Sequence, residues 1–419
     1  MKLCDKNKCT GCGACFAACS LKAINMCMTE NGFLYPEIDE TLCVECGKCV
    51  VACPGLNTIS AKSVMPTAWV AKITDKKILW ESASGGMFTA LAEDIIKNGG
   101  VVFGVVWDED NNAVYSSVRT EEELLPMRGS KYVQSFSADI YPEVKKALDE
   151  NKQVLFTGVP CQIAGLYGYL GNKDYDSLYT VDIVCHGGGS PGMFKDYLKW
   201  KENAFEKKIA RINHTDKGRD KWSVLIQKTI RIECDGGEVF YADSSEDAYL
   251  SLFLNGYIYR EVCYSCNFAS MPRVADITLG DFFGFGTLKY HNFDVSGGVS
   301  QVIVNTEKGK NLFDRINKSG RIKAEQVTMY ECMIYNHNLW KPSPKSAVYN
   351  EIMYEYSKHG FSAIAEKYYA SPQQIKNRKT RALIKKILGD RLTALGMGTV
   401  YKIKGTDKKI HEVLKRMES

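Results

Sequence analysis

Cysteine is the residue type in this chain with the most evident chemistry. Ten of the sixteen cysteines fall within the first 53 residues. Eight of these ten form two runs of identical spacing, with two, two and three residues between successive cysteines: Cys9, Cys12, Cys15 and Cys19, then Cys43, Cys46, Cys49 and Cys53. Cysteines set this closely are typical ligands of iron-sulfur clusters.

The duplicated spacing predicts two 4Fe-4S clusters that exchange their fourth ligands. Three close cysteines hold three corners of a cube, and the fourth, displaced by a short helix, reaches the cube of the other run. We therefore assign Cys9, Cys12, Cys15 and Cys53 to a first cluster, and Cys43, Cys46, Cys49 and Cys19 to a second. Structural zinc sites use Cys-x2-Cys pairs with longer spacers, so zinc is the poorer interpretation. Two cysteines outside the pattern are expected to be packing or surface thiols: Cys4 and Cys27.

Four later cysteines predict a third site. Cys263 and Cys266 form a metal-type pair, while Cys161 and Cys185 each follow a short apolar run. Four thiolates are enough for one more 4Fe-4S cluster. We favour that cluster over a four-cysteine zinc site or four buried thiols.

The body of the chain alternates short apolar runs with helical stretches, which predicts an α/β architecture. Strands are expected over 69–73, 101–107, 154–157, 179–184 and 277–280, and helices over 87–97, over 141–150 and after Pro191. An antiparallel section is expected over 209–241, with a hairpin turn at Asp235-Gly236-Gly237. The predicted domains are an α+β ferredoxin-like segment over 1–60, a larger α/β domain over 66–345 and a helical, basic extension over 346–419.

Four polar or glycine-rich loops lie where ligands bind in open α/β sheets. They span 82–86, 128–134, 156–162 and 184–191. Each loop alone has an ordinary interpretation as a helix cap or turn, and the coincidence of four indicates a binding site. The segment 188–192 also matches the nucleophile elbow of hydrolases, but Ser190 is better interpreted as a helix N-cap, with Pro191 in the first turn.

These motifs resemble the beta-subunit family of coenzyme F420 (deazaflavin) hydrogenases and dehydrogenases, over about residues 66 to 300. The matching stretches are SGG at 84–86, RGSKYVQ at 128–134, TGVPCQ at 157–162, CHG at 185–187 and ADITLGD at 275–281. The resemblance implies an FAD site and an additional 4Fe-4S cluster in a flavin-binding α/β domain. The residues expected to bind the cofactor are Ser84, Gly85, Gly86, Arg128, Gly129, Ser130, Lys131, Tyr132, Gln134, Thr157, Gly158, Gln162 and Asp281.

Electron counting favours a flavin independently of the resemblance. Cubane clusters deliver single electrons, whereas most organic reductions require a hydride equivalent, and a flavin converts between the two. Lys131 is our candidate to stabilise negative charge on the reduced ring or on the pyrophosphate, the alternative being a solvated surface lysine. His186, beside a cluster cysteine, is our candidate proton relay, the alternative being a structural histidine.

Charge and hydropathy bound the location and partners of the protein. No apolar stretch approaches the roughly 20 residues of a membrane span, and the N-terminus carries no secretory signal, so a cytoplasmic protein is expected. Residues 371–419 hold 13 Lys or Arg against 4 Asp or Glu. Ile384, Ile387, Leu388, Leu392 and Leu395 share one face of a basic amphipathic helix there, which suits an anionic membrane surface, an acidic partner or packing on the body. No nucleic-acid-binding module accompanies it.

Together these observations predict an iron-sulfur flavoprotein oxidoreductase. Electrons would pass between the 4Fe-4S clusters and FAD, to or from a small organic substrate or the deazaflavin coenzyme. The competing hypothesis is an electron-transfer subunit that serves a separate catalytic subunit or redox partner protein and has no substrate of its own. A zinc-stabilised scaffold is the third.

Overall fold

A computed structural model describes residues 2–57, 59, 65–217, 229–243, 246–369, 376, 380 and 406–418. The strands are β1 (Ile24–Met28), β2 (Leu34–Ile38), β3 (Thr67–Ile73), β4 (Val101–Trp107), β5 (Ala113–Val118), β6 (Val154–Gly158), β7 (Leu178–Ile183), β8 (Ile209–Asp216), β9 (Thr229–Cys234), β10 (Val239–Asp243), β11 (Ile277–Asp281), β12 (Ser300–Val304) and β13 (Ile322–Val327). The α-helices are α1 (Ala14–Ala18), α2 (Lys48–Val51), α3 (Lys76–Trp80), α4 (Met87–Lys97), α5 (Ile140–Asp149), α6 (Pro160–Tyr169), α7 (Pro191–Phe205), α8 (Ala248–Leu254), α9 (Glu307–Lys318), α10 (Met329–Tyr335), α11 (Tyr349–Tyr368) and α12 (Thr406–Glu418). Short 3₁₀ helices span Glu122–Met127, Glu261–Ser265 and His337–Leu339.

Eight of the described strands form one mixed sheet in the order β13-β3-β12-β11-β7-β6-β4-β5. Its centre is parallel, since β4 pairs with β6, β6 with β7, and β7 with β11 in the same direction. The outer strands run antiparallel to their neighbours. The carboxyl ends of β6, β7 and β11 therefore meet at one edge of the sheet, where ligands of α/β folds bind.

The apolar runs predicted the central strands because both faces of this sheet are covered. Four helices provide that cover: α4 and α9 pack on one face, and α5 and α6 on the other. In β4, Val101 and Phe103 face the second layer and Val102 faces the first, and all three are almost fully buried. The five predicted strands are confirmed as β3, β4, β6, β7 and β11.

Helix caps and the antiparallel section also follow the sequence prediction. Gly99, just beyond α4, has a φ of 72°. The Ser190 hydroxyl accepts the Met193 N–H at 3.1 Å and caps α7, so this serine acts as the predicted N-cap. The hairpin is formed by β9 and β10, and β8 joins it as a third antiparallel strand. Residues 218–228, which include part of the predicted hairpin, lie outside the described residues.

The N-terminal segment shares a hydrophobic core with the body. Its ferredoxin-like elements are two short helices, α1 and α2, and the hairpin β1-β2. Cys12, Ala14 and Ala52 are buried against α5 and α6. Two glycines of α6 allow this approach: a Cβ atom at Gly165 would lie 3.0 Å from Cys12 Sγ, and one at Gly168 would lie 2.2 Å from the Ala52 carbonyl oxygen.

The C-terminal part packs on the body through two described helices. Helix α11 lies against α7. Helix α12 packs on α10, where Ile410 is fully buried and the rings of His411 and Tyr330 stack. The predicted amphipathic face at 384–395 and most of the predicted junction at 60–66 lie outside the described residues. Within the described part of the chain, no helix is both long and apolar enough to cross a membrane.

Substituting Gly168→Ala should loosen the contact between α6 and the N-terminal segment. The added methyl group would meet the Ala52 carbonyl at 2.2 Å, so the backbone must shift. We expect a loss of about 1–3 kcal/mol in the free energy of unfolding, measured by urea denaturation under anaerobic conditions. Lys173→Ala, on an exposed residue beyond α6, should change it by less than about 0.5 kcal/mol. Equal urea midpoints for Gly168→Ala and the unsubstituted protein would contradict this role of α6.

Candidate redox site

The first thiol group gathers around the start of α1. Cys9, Cys12, Cys15 and Cys53 line one cavity. Gly13, with a φ of 73°, precedes α1 and turns the chain so that Cys12 and Cys15 face the same side. Burial raises the pKa of Cys15, and negative charge on the other three cysteines raises it further. The structure thus brings together the four cysteines that the sequence assigned to the first cluster.

The second thiol group lies at the surface. Cys19, Cys43, Cys46 and Cys49 line a second cavity. Gly47, with a φ of 76°, precedes α2 and plays the same part as Gly13 in the first group. Cys49 is buried, whereas Cys46 is exposed to solvent. Each group therefore draws its fourth cysteine from the other run, in the arrangement that the spacing predicted.

Cys4 lies at the first thiol group, although its position in the sequence predicted no such role. It lines the same cavity and is hydrogen-bonded with Cys53 and Cys9. The hydrogen bond from Cys4 lowers the pKa of Cys9 to about 6 and that of Cys53 to about 7. Cys4 stands outside the repeated spacing, so only the three-dimensional structure reveals this contact.

The third thiol group lies at the carboxyl edge of the parallel strands. Cys161 follows β6, Cys185 follows β7, and Cys263 and Cys266 belong to the 3₁₀ helix Glu261–Ser265 and the residue after it. The Gly188 N–H donates to Cys263 Sγ at 3.3 Å. Further backbone N–H groups directed at the sulfurs of Cys185 and Cys266 come from Gly187, Phe268 and Ala269. Such donors suit thiolates that carry negative charge.

Burial dominates the protonation of this group. It raises the pKa of Cys263 to about 12 and that of Cys161 well above its usual value. Negative charge on four neighbours raises the pKa of Cys161 further: Cys266, Cys185, Cys12 and Cys263. Because thiolates are the metal ligands, assembly of a cluster here must displace protons.

Cys161 also connects the third group to the first. Its thiol is close enough to Cys12 for their charges to interact. Gly165, one turn along α6 from Cys161, packs directly on Cys12. The two groups are therefore neighbours across the contact between α6 and the N-terminal segment.

A single zinc ion would require its cysteines about 2.3 Å from one point. Within the described ranges, no group of three or more His, Cys, Asp or Glu side chains is arranged to hold a metal ion. The first and second thiol groups each line a cavity, and the third is defined by its backbone N–H donors and by the charge interactions among its cysteines.

The predicted flavin loops at 84–86 and 128–134 use several of their polar groups within the protein. The Ser84 hydroxyl donates to the Val299 carbonyl at 2.7 Å, and the Gly85 N–H donates to Ser300 Oγ at 2.9 Å. Gly86 has a φ of 76° and begins α4. The Arg128 guanidinium forms an ion pair with Glu81 and donates to Thr89. These contacts shape the loops.

The amide side chains of two further predicted residues also bond internally. Gln134 Nε2 donates to the carbonyls of Thr10 and Gly11, so this residue contacts the N-terminal segment. Gln162 Nε2 donates to Ser135, while its Oε1 accepts from Tyr115. Beside them, the Thr157 hydroxyl donates to Phe103, and a Cβ atom at Gly158 would lie 2.2 Å from Tyr115 Oη.

Lys131 is a cation among neutral oxygens. Its ammonium group donates to the carbonyls of Pro126, Arg128 and Gly129 at 2.9, 3.1 and 3.3 Å. Desolvation lowers its pKa to about 7. The residues on either side of Lys131 contact β8, since Ser130 N donates to Thr215 and the Tyr132 ring stacks on His214.

A buried polar cluster lies beside the third thiol group, at the ends of β7 and β11. The His186 ring stacks on His337 with centroids 6.2 Å apart, and burial lowers the pKa of His337 to about 4. Asn336 Nδ2 donates to the carbonyl of Asp281, the last residue of β11. Three buried polar atoms of this cluster have no hydrogen-bond partner among the described residues: Gln301 Nε2, His337 Nε2 and Asn338 Oδ1. Such atoms commonly bind water or a ligand.

Comparisons with known proteins agree with this layout. Residues 8–55 match a 4Fe-4S dicluster domain. Residues 68–139 match the N-terminal part of the coenzyme F420 hydrogenase/dehydrogenase beta subunit, and residues 151–329 match the C-terminal part of that subunit.

Individual relatives are distant. An uncharacterised protein of Methanocaldococcus jannaschii is 23% identical in an alignment 354 positions long, which covers 77% of this chain and 90% of that protein. The coenzyme F420-dependent sulfite reductase of the same organism is 22% identical over 333 residues, and the match spans 77% of this chain but only 48% of the reductase. A chain of the F420-reducing [NiFe] hydrogenase complex from Methanosarcina barkeri is 19% identical, with a TM-score of 0.43, over 74% of this chain and 92% of that one.

Three thiol groups of four cysteines predict about 12 iron atoms and 12 acid-labile sulfides per chain. Cys263→Ser should lower the iron content of anaerobically purified protein by about four atoms and leave the other two clusters intact. The matched control is Cys234→Ser, a buried thiol on β9 outside the three thiol groups, which should keep the full iron content. About 8 iron atoms in the unsubstituted protein would contradict the prediction of a third cluster. Stoichiometric zinc without iron would contradict the prediction of all three clusters.

Proposed function

Because the chain belongs to the coenzyme F420 hydrogenase/dehydrogenase beta-subunit family, we propose that it is an oxidoreductase with three 4Fe-4S clusters and FAD. Electrons would be exchanged with a small organic molecule or with the deazaflavin coenzyme. The observation that best supports the proposal is the position of Cys161 at the start of α6, one turn before Gly165, which packs on Cys12 of the first group.

The burial of the thiol groups supports an order in which the three clusters pass electrons to one another. The second group includes the exposed Cys46 and lies at the surface. The first group packs on α6, and the third lies at the carboxyl edge of the sheet. Each transfer oxidises one cluster and reduces the next by one electron. The second cluster is then the outer terminus, and the third serves the sheet edge where a substrate would bind.

A flavin bound at this edge would convert between single electrons and a hydride equivalent. The loop at 128–134, which contains Lys131, runs beside the loop at 184–191, which contains Cys185. The two loops are joined because Gln134 N donates to the Gly189 carbonyl at 3.0 Å. No described carboxylate forms an ion pair with Lys131, whose pKa is lowered to about 7 by burial, and a diphosphate or reduced ring beside it would favour its charged form. The polar atoms without partners at Gln301 and His337 suit the edge of a polar ring. These polar atoms support the proposal of a flavin at this edge.

His186 is the proposed proton relay. It directly follows Cys185 and stacks on His337, whose lowered pKa keeps that neighbour neutral near pH 7. The Ser343 hydroxyl donates to the His186 carbonyl at 2.7 Å and holds the loop in place. Imidazole titrates near neutrality, which suits a group that takes up and releases a proton.

An alternative function is that of an electron-transfer subunit without a substrate of its own. Exposed large apolar side chains lie at the second thiol group: Leu21 and Val44 line its cavity together with Cys46, and Val44 is 68% exposed. Two more, Leu42 and Val51, lie close to its cysteines along the chain, and Val51 is 63% exposed. Exposed apolar side chains grouped in this way are typical of protein interfaces. Such a surface at the outer terminus suits a redox partner protein or a catalytic subunit.

Acid or heat treatment should release FAD from the purified protein, in about one equivalent per chain. Lys131→Ala should weaken FAD retention or lower the flavin reduction potential, because a nearby cation favours the more negative species. Lys131→Arg should behave like the unsubstituted protein, and Lys318→Ala, on an exposed residue of α9, is the surface control. The readouts are the released flavin and a redox titration of its absorbance. Protein without flavin would refute the FAD assignment, and unaltered binding and potential in Lys131→Ala would refute the role of Lys131.

A single-turnover experiment separates the enzyme from the electron-transfer subunit. Prereduced protein, free of any other chain, is mixed with the deazaflavin coenzyme and then with a panel of small metabolites. If the chain acts on a substrate, one of these molecules should reoxidise the flavin, as followed by its absorbance. A panel that leaves the flavin reduced, together with turnover restored by a copurifying subunit, would favour the alternative.

A further inference from the structure

Arg260 is a buried arginine at the contact between the first and third thiol groups. The residue is 1% exposed. Its guanidinium donates to the Cys9 carbonyl at 2.7 Å, to the Leu34 carbonyl at 3.0 Å and to Gln134 Oε1 at 3.2 Å. Nη2 also lies 3.5 Å from Cys9 Sγ. The guanidinium carbon is 3.9 Å from the centre of the Tyr35 ring, so the cation stacks on an aromatic face.

No carboxylate among the described residues forms an ion pair with Arg260. The other fully buried arginine, Arg273, shows the usual arrangement, with its guanidinium 2.9 Å from the Asp182 carboxylate. A buried cation without a counter-charge is costly. The partners of Arg260 are carbonyls, an amide oxygen, a ring and a thiol sulfur, so cysteine sulfur is the available source of negative charge.

The backbone of the same residue supports the third thiol group. The Arg260 N–H donates to the Gly188 carbonyl at 2.8 Å, and its carbonyl accepts the Cys263 N–H at 2.9 Å. Gly188 in turn donates its N–H to Cys263 Sγ. Arg260 therefore contacts the first group with its side chain and positions a cysteine of the third with its main chain. Its charge lowers the pKa of both Cys9 and Cys263.

We propose that Arg260 is the positioning residue that couples the first and third clusters electrostatically and raises both of their reduction potentials. The proposal rests on the three-cluster function above. A cluster becomes more negative by one charge when it accepts an electron, and net charge and hydrogen bonds to the sulfurs set its potential. A buried cation close to both clusters stabilises the electron on either, so one cluster is oxidised and the other reduced with the counter-charge already in place.

The second cluster provides an internal reference. The guanidinium of Arg260 contacts Cys9, Leu34, Gln134 and Tyr35, and none of these contacts involves a cysteine of the second group. Removing the charge of Arg260 should therefore lower the potentials of the first and third clusters and leave that of the second unchanged.

The test is a redox titration of the full-length, cluster-loaded protein, monitored by electron paramagnetic resonance. Arg260→Gln and Arg260→Met remove the charge, and each should shift the reduction equilibrium of the first and third clusters at least tenfold, which for one electron is about 59 mV. Arg260→Lys retains the positive charge and should leave the reduction potentials of the first and third clusters close to those of the unsubstituted protein. Arg119→Gln, at an exposed arginine outside the three thiol groups, should move no potential.

Each outcome decides the proposal. Full iron content with unchanged potentials in a neutral variant would overturn it, as would an equal shift in Arg260→Lys. If both neutral variants lose iron while Arg260→Lys retains it, the charge is required to hold the clusters rather than to set their potentials, and the proposal would be overturned. Loss of iron in all three variants would show a purely structural role. About 8 iron atoms in the unsubstituted protein would instead refute the three-cluster function.

Discussion

The carbonyl of Cys12 is the point on which the arrangement of this protein depends. It accepts hydrogen bonds from the Ser137 hydroxyl at 2.8 Å and from the Tyr141 hydroxyl at 2.9 Å, all within the core that covers one face of the central sheet. Buried hydrogen bonds of this kind are costly to leave unmade. They hold the loop of the first thiol group on α5 and α6, and Cys161 at the start of α6 is thereby placed beside Cys12.

Most of the fold could be predicted from local patterns. Cysteine spacing predicted the first two thiol groups because the distance between ligands of a cube limits the number of residues between them. Apolar runs predicted the central strands because parallel strands buried on both faces carry few polar residues. Ser190 before α7 and Pro191 in its first turn predicted the N-terminus of this helix. Ser190 proves to be both a cap and a donor to the Asn31 carbonyl of the N-terminal segment.

Long-range contacts account for what the sequence did not predict. Cys4 and Arg260 belong to no motif, and their roles arise because residue 4 meets residue 53 and residue 260 meets residue 9. For Gln134 the loop composition indicated a polar contact but not which residues it would contact. The side-chain amide donates to the carbonyls of Thr10 and Gly11. No periodicity or spacing along the chain carries information on such pairs. The assignment of the flavin residues has the same difficulty, since a loop that shapes a site and a loop that binds a ligand have similar compositions.

The core shared by the N-terminal segment and the body has a consequence for modularity. Ferredoxins are commonly pictured as detachable electron carriers joined to other domains by a linker. Here Cys12, Ala14 and Ala52 fill the same hydrophobic layer as Tyr141 and the helices around it. Cutting between the two parts would expose apolar surface on both, in the manner of splitting a single domain. The ferredoxin-like part of this chain is thus a structural component of the sheet domain that it serves, and exchanging it for another carrier would require redesigning the packing surface of α6.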